Sequence, residues 1–387
     1  MRGHVTKKGN KFYFVLDVGV DEVTGKRKQK WFSGFKDPKE AEKAMIAKIH
    51  ELNQGIYYEP TKFTLADFME RWLEDYVTFN CAPRTREIYE YIIHTHISRS
   101  RMAKLPLDKI KPIQIQNYYS EKLTKGRVDG KGGLTARSVL HHHRILHEAL
   151  EHAVKWQILG KNPTKAVTPP RLQKKEVNVL SKDQIQILLE GTKNKYFHGA
   201  VFFAISTGMR RGEIFGLRWS DVDFKNQTLS IRQTLQRLKG KGLVFKKSAK
   251  NDGSRRSVAI SSEIIKLLQV LKATQEECKQ NLGVYYQDHD LVFSNEDGTP
   301  INVDYVSREF GRSVKKLDIP YVRFHDLRHT HATLLLQQGE HPKIISERLG
   351  HSTISITMDI YSHVMPNMQR EATDKLDRFL FSDNSDI

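Results

Sequence analysis

Ser206-Thr207-Gly208-Met209-Arg210-Arg211-Gly212-Glu213-Ile214 follows an apolar run over 200–206 and leads into a second short amphipathic stretch. Gly208 reads as the residue that stops one helix, and Arg210 as the residue that opens the next. A cation there opposes the helix dipole, yet beside unpaired backbone N–H groups it is well placed to meet an anion. An Arg210–Glu213 ion pair at the three-residue spacing is the plainer alternative.

Three other stretches downstream hold polar groups of the same kind. His325-Asp326-Leu327-Arg328-His329-Thr330 reads as a helix start, with His325 and Arg328 three apart and so on one face. His325 and His329, four apart, have zinc-ligand spacing, but a third ligand and the zincin pattern are missing, so a metal is not expected. Pro342 opens a short helix that Gly350 closes, which puts His351 of Arg348-Leu349-Gly350-His351 in a turn. Ser352-Thr353 then caps a helix whose far end carries Tyr361. Between these stretches lies a β region over 227–260, with Lys250-Asn251-Asp252-Gly253 as a hairpin tip from which Lys250 can project. Taken singly, each is most simply a packing residue or a solvated charge. Together, two arginines, a lysine, two histidines and a tyrosine form a set for cleaving a phosphodiester without a metal. Arginine forks match phosphate oxygens and stabilise a pentavalent transition state. A tyrosine hydroxyl can be the nucleophile, and histidine and lysine can move protons.

Composition is consistent with such a substrate. The chain has 387 residues, and 63 Lys+Arg against 45 Asp+Glu give a net charge of +18, which favours a polyanion. Apolar residues are 39% and charged ones 28%, excluding a disordered chain or a coiled coil. No apolar run approaches the ~18 residues that span a membrane, and the first residues do not read as a secretory signal. Cys81 and Cys278 cannot make a disulfide framework, so a reducing cytoplasm is expected. The charge is uneven: +4 over 1–60 (12 basic, 8 acidic), +7 over 61–168 (18 and 11) and +7 over 169–387 (33 and 26). Residues 232–257 alone contribute +8, nine basic residues and Asp252, leaving the rest of the last segment near neutral.

Three domains are expected. Over 1–55, strands at 11–18 and 27–35, the latter one strand or two, precede a helix over 39–52 that starts near Asp37-Pro38. Over 61–168, Thr64 caps a helix containing Leu65, Phe68, Trp72 and Tyr76. Helices over 85–97, 111–122 and 135–156 follow, and Gly126-Arg-Val-Asp-Gly-Lys-Gly-Gly133 reads as a flexible loop between the last two. That segment is close to a four-helix bundle. The third segment mixes helix and strand.

In order and spacing the motifs resemble those of the tyrosine recombinases (phage integrase family), and among them the integrases of phages and conjugative transposons in Gram-positive hosts. Thr207-Gly208-Met209-Arg210-Arg211-Gly212-Glu213 is similar to the family's first-arginine motif. His325-Asp326-Leu327-Arg328-His329-Thr330 is similar to its His-x-x-Arg motif, and Leu349-Gly350-His351 with Tyr361 to its last. Ala249-Lys250-Asn251 sits where the family has a Pro-Lys-Thr-like stretch, which selects Lys250 over Lys247.

The resemblance implies a multidomain, mostly α fold with β. It comprises a three-stranded-sheet-plus-helix arm-type DNA-binding domain (1–58), a helical-bundle, SAM-like core-binding domain (61–168), and a mixed α/β catalytic domain with a C-terminal tail (175–387). It also implies that Tyr361 forms a 3′-phosphotyrosyl bond, that Arg210 and Arg328 clamp the phosphate with His325 and His351 assisting, and that Lys250 is the general acid. No cofactor and no metal are implied. DNA contacts are expected at Lys11, Tyr13, Arg27, Lys28 and Lys30 of the first domain, unless that domain binds RNA or protein, and at Lys246, Lys247 and Arg255 of the hairpin. Expected partners are double-stranded DNA with core and arm-type attachment sites, three further copies in a tetramer, an excisionase and a host DNA-bending protein, in the nucleoid of a bacterial host and not at a membrane. The tail, with Ala372, Leu376 and Phe379 at helical spacing, is expected to dock on a neighbouring protomer rather than on its own domain. A chromosome or plasmid resolvase of the Xer type and a catalytically silent DNA-binding regulator are the alternatives. The complete set of six groups argues against the regulator, and the extra domain at 1–58 argues against the resolvase.

Overall fold

The computed structural model describes residues 3–20, 25–53, 63–173, 178–247, 256–351 and 353–361, together with 373–374, 376–378 and 380 of the tail. The chain forms two compact units, Met1–Lys174 and Lys175–Ile387.

The first unit begins with an antiparallel sheet in the order β1 (Gly3–Lys8), β2 (Lys11–Val20), β3 (Arg27–Phe35), against which α1 (Pro38–Asn53) packs. The sequence reading missed β1 and allowed 27–35 to be two strands, whereas it is one. The missed signal is Gly9-Asn10, a two-residue turn that sets Lys8 opposite Lys11. Strand alternation puts Phe14, Leu16, Lys30 and Phe32 in register on one face, where Phe14 stacks on Phe32 at 4.6 Å and lies 5.3 Å from Phe35. The other face carries His4, Tyr13 and Trp31, with Trp31 58% exposed.

The rest of this unit is helical. Thr64 caps α2 (Leu65–Trp72) in a capping box with Asp67. The helix runs on through a π-turn (Leu73–Val77) into α3 (Thr78–Asn80). Next come α4 (Pro83–Ile92), ending in a second π-turn (Ile93–Ile97), α5 (Pro112–Lys125) and α6 (Ala136–Lys155). Their apolar faces bury Phe68, Trp72, Ile93, Tyr119, Leu146 and Leu150 in one core. The loop before α6 is not loose. Arg127 pairs with Asp129 through two hydrogen bonds, and the backbone closes through Arg127 N to Gly132 O and Leu134 N to Lys122 O.

The second unit packs α7 (Lys182–Thr192), α8 (His198–Thr207), α9 (Arg211–Phe215), α10 (Ser262–Leu282) and α11 (Val303–Val314) around a core that includes Phe203, Phe215, Phe293, Phe310 and Phe324. Helix α8 is apolar on nearly all sides and is buried accordingly. The β region forms a sheet in the order β4 (Val222–Asp223), β5 (Thr228–Ile231), β8 (Arg256–Ala259), and a separate hairpin of β6 (Gln233–Leu238) and β7 (Gly242–Lys247). Helices α12 (Asp326–Gln337), α13 (Pro342–Leu349) and α14 (Ile354–Tyr361) complete the unit, with α12 packed along α8. In the tail Leu376 and Leu380 are exposed, while Ala372 and Phe379 lie outside the described residues. Among the described residues no helix is long and apolar enough to cross a membrane.

Candidate active site

Two glycine-terminated helices and one helix start build the site. Helix α8 ends at Gly208, whose φ of +67° is the left-handed conformation that a side chain resists. The chain turns there, and Arg210 stands at the entry to α9. Helix α13 ends in the same way at Gly350, also at φ +67°, with His351 N bonded to Ser346 O and Gly350 N to Glu347 O. This is the paired hydrogen bonding of a Schellman turn.

The two turns are pinned together by guanidinium groups. Arg328, buried on α12, donates from Nη1 to Gly208 O at 2.8 Å and from Nη2 to Leu349 O at 2.7 Å. Arg210 donates from Nη2 to Gly350 O at 2.9 Å and from Nη1 to Glu213 Oε1 at 2.8 Å. Both arginines therefore end on carbonyls of residues 349 and 350, next to His351. The ion pair that the sequence offered as the alternative for Arg210 is present, and it coexists with the site contact. The neighbouring Arg211 turns away and bonds to Val303 O and the Ser307 hydroxyl of α11.

Burial, then the Arg328 and Arg210 charges, hold the His351 imidazole down to about 4. Its Nδ1 is 2.8 Å from the hydroxyl of Thr357, a buried residue of α14. His329 is likewise held to about 4 by burial and then by His325, whose ring lies 5.4 Å away. His325, more open at the start of α12, is lowered by partial burial and then by Arg328. These rings are neutral at pH 7 and can accept protons. Among the described residues no third His, Cys, Asp or Glu joins His325 and His329 in a metal-holding group.

Arg210, His325, Arg328 and His351 are thus brought together. Tyr361 is the last residue of α14, one helical turn beyond Thr357; its side chain lies outside the described residues, as do Lys250 and Arg255. Lys246 and Lys247 are the exposed last residues of β7, opposite Thr234 and Gln233. On the N-terminal sheet Lys11, Tyr13 and Arg27 share the Trp31 face, whereas Lys28 and Lys30 fall on the Phe32 face, so the expected contact set divides between the two faces.

The chain matches the phage integrase family over 178–368, the N-terminal SAM-like domain of phage integrases over 64–123 and an arm DNA-binding domain over 4–52. It is 31% identical to a tyrosine recombinase XerC-like protein of Caldanaerobacter subterraneus subsp. tengcongensis, over 96% of this chain and 97% of that one. The chain belongs to the phage integrase family of tyrosine recombinases. It is also 31% identical to the ICEBs1 integrase of Bacillus subtilis strain 168, over 77% of this chain and 78% of that one. The Tn1549 transposon integrase, solved in complex with a circular intermediate DNA, shares the fold at a TM-score of 0.68 and 20% identity, covering 81% of this chain and 100% of that one. The protein is accordingly a tyrosine-type site-specific recombinase.

Of the residues that build this candidate site, Glu213 was read only as an alternative partner of Arg210, and Arg256, Arg348, His331 and Thr357 were given no role from the sequence. Burial pushes the Glu213 carboxyl up, but the hydrogen bonds and charge of Arg256 and the charge of Arg210 outweigh it and keep the group below its usual range. Arg348 donates to Ala259 O, Ser206 O and His331 Nε2, and His331 Nδ1 lies 2.7 Å from Ile205 O. A donor on Nε2 requires the His331 proton to be on Nδ1, where it bonds to Ile205 O. Thr357 carried no signal beyond its place one turn before Tyr361.

Proposed function

We propose that the protein is the integrase of a mobile element, that Tyr361 is its nucleophile, and that Arg210, His325, Arg328, His351 and Lys250 carry the assisting roles. The observation that carries this reading is the convergence of Arg210 and Arg328 on the Leu349–Gly350 carbonyls beside a neutral His351. Two forks at a single turn can bracket both non-bridging oxygens of one phosphate.

The tyrosine oxygen attacks the scissile phosphorus, the bond from phosphorus to the 5′-oxygen breaks, and a 3′-phosphotyrosyl bond forms. His351 or His325 takes the tyrosine proton, and Lys250 gives one to the departing 5′-oxygen. The 5′-hydroxyl of a partner strand then attacks the phosphotyrosine and releases the enzyme. Because the ester bond is conserved in the intermediate, no nucleotide hydrolysis is needed. Two duplexes exchange four strand ends, which calls for four copies of the chain.

Residues 1–58 serve as the arm-type domain, 61–168 as the core-binding domain and 175–387 as the catalytic domain with its tail. The match over 4–52 and the relatedness to the ICEBs1 integrase favour an element's integrase over a resolvase. An excisionase and a host bending protein would set direction, in the cytoplasm of a bacterial host. A nicked suicide substrate bearing the attachment core tests the reading. Wild type should accumulate a covalent adduct and Tyr361→Phe none, and a wild type that forms no adduct defeats the proposal. DNA affinity should also fall steeply with salt, as many Lys/Arg–phosphate contacts release counterions.

A further inference from the structure

Arg256, the first residue of β8, is buried to 7% side-chain exposure and lies behind the site. Its guanidinium forks onto Glu213, Nη2 to Oε2 at 2.9 Å and Nη1 to Oε1 at 3.2 Å, while Nε donates to Arg348 O at 2.6 Å. It also fills the space under the second turn: a Cβ on Gly350 would meet Arg256 Nη1 at 2.8 Å and Cδ at 3.1 Å. One side chain therefore touches the carboxylate that holds Arg210 and the end of α13 that leads into His351. It is also the first described residue after 248–255, the segment that carries Lys250.

A buried cation is costly, and an ordinary core position could be filled by an apolar residue instead. What the arginine adds is directional. Glu213 accepts from two guanidinium groups, Arg256 from behind and Arg210 in front, and from the Arg210 backbone N–H at 2.9 Å. Without Arg256, Glu213 could rotate about its last bond and take Arg210 with it, and the Arg348–Gly350 turn would lose one of the three guanidinium donors that hold it. A lysine has the charge but neither the fork nor the Nε donor.

We infer that Arg256 is a positioning residue for strand cleavage: through Glu213 and the Arg348–Gly350 turn it sets the geometry of Arg210 and His351. The inference rests on the integrase reading above. It is tested with full-length Arg256→Lys, Arg256→Met, Glu213→Gln and the Arg256→Met/Glu213→Gln double variant. The readouts are single-turnover adduct formation on the suicide substrate at saturating protein, DNA affinity and thermal midpoint. Displacement of a clamp by about 1 Å is enough for about 100-fold, so Arg256→Lys should form adduct about 10- to 100-fold more slowly while DNA affinity stays within about twofold. Because Arg256 acts through Glu213, the double variant should be little slower than the slower single variant. Three results would each overturn the inference: wild-type cleavage by Arg256→Lys at saturating protein, a loss confined to DNA affinity, or single effects that multiply in full. If Arg256→Met does not fold, Arg256→Lys still decides. Wild type and Tyr361→Phe run alongside, so a failure of the integrase reading appears as a wild type without adduct.

Discussion

Arg210 Nη2 donates to the carbonyl of Gly350 at 2.9 Å across 140 positions of sequence. The contact joins the first-arginine turn to the turn that presents His351, so the proposed phosphate clamp is assembled by tertiary folding and held by charge-assisted bonds to main-chain acceptors. Arg210→Lys retains the charge but cannot reach Glu213 and Gly350 O together. Loss of one preorganised donor at a developing charge costs about 100- to 1,000-fold, and that is the drop expected in single-turnover adduct formation. Filter binding should show DNA affinity nearly unchanged.

The two glycine turns differ in how much room they leave. At Gly208 a Cβ would meet His331 Cδ2 at 2.5 Å and Leu349 Cδ2 at 2.7 Å, and the His331 ring is held from both nitrogens. Gly240, at φ +73° with nothing within 4 Å, isolates the backbone term. Gly240→Ala should therefore cost only the left-handed penalty of about 1–2 kcal/mol. Gly208→Ala should cost clearly more and abolish cleavage, because the Gly208 carbonyl is an acceptor for Arg328. Denaturant melts of the two variants make the comparison.

Thr357 is buried on α14, with its hydroxyl 2.8 Å from His351 Nδ1. Thr357→Val keeps the shape and removes the partner that fixes the ring. A hydrogen bond of this kind contributes about 1 kcal/mol, so adduct formation should slow by about fivefold. The thermal midpoint should change little, and an unchanged cleavage rate would show that the ring is oriented by other contacts.

How legible this site was depends on which groups carry local signals. Gly208 and Gly350 punctuate apolar periodicity, and Pro342 sits at the first turn of its helix, so the two turns and helix α12 were readable residue by residue. Thr64 was readable as a helix cap, and the structure adds Asp67 as the second half of its capping box. Arg256, Arg348 and His331 looked like members of a charge run or a helix face. Their partners are the Glu213 carboxylate, 43 positions from Arg256, and carbonyls 89 to 142 positions away, and a carbonyl has no sequence signature. Strand β1 was missed for the opposite reason: Gly9-Asn10 is a local signal, but the stretch before it is short and polar. Tyr13 and Lys30 shared one expectation yet lie on opposite faces of the sheet, because alternation fixes the two faces but not which one a helix will cover.

Acid should weaken the helical part of the first unit through His142. This residue is 2% exposed on α6, with Nδ1 2.9 Å from the Tyr118 hydroxyl and its ring 4.9 Å from that of His96. Burial, then the charges of His96, Lys122 and His141, hold it down to about 3 from an ordinary 6.5. Above pH 6.5 it is neutral in both the folded and unfolded chain and adds no pH dependence. Between 6.5 and about 3 the unfolded chain binds a proton that the folded chain refuses, so stability falls as pH falls, by about 1.4 kcal/mol per unit. His96, lowered by burial and then by Lys122 and Arg99, acts in the same direction. At pH 5.5 the loss from His142 alone should be about 1.4 kcal/mol relative to pH 7.5. Denaturant melts at the two pH values should show at least this drop in wild type. His142→Gln should start less stable at pH 7.5, since the packing with Tyr118 changes, yet lose less between 7.5 and 5.5. An equal loss in the two proteins would assign the acid sensitivity to other histidines, among them His96 of the first unit and His329, His331 and His351 of the second, the last three each held to about 4.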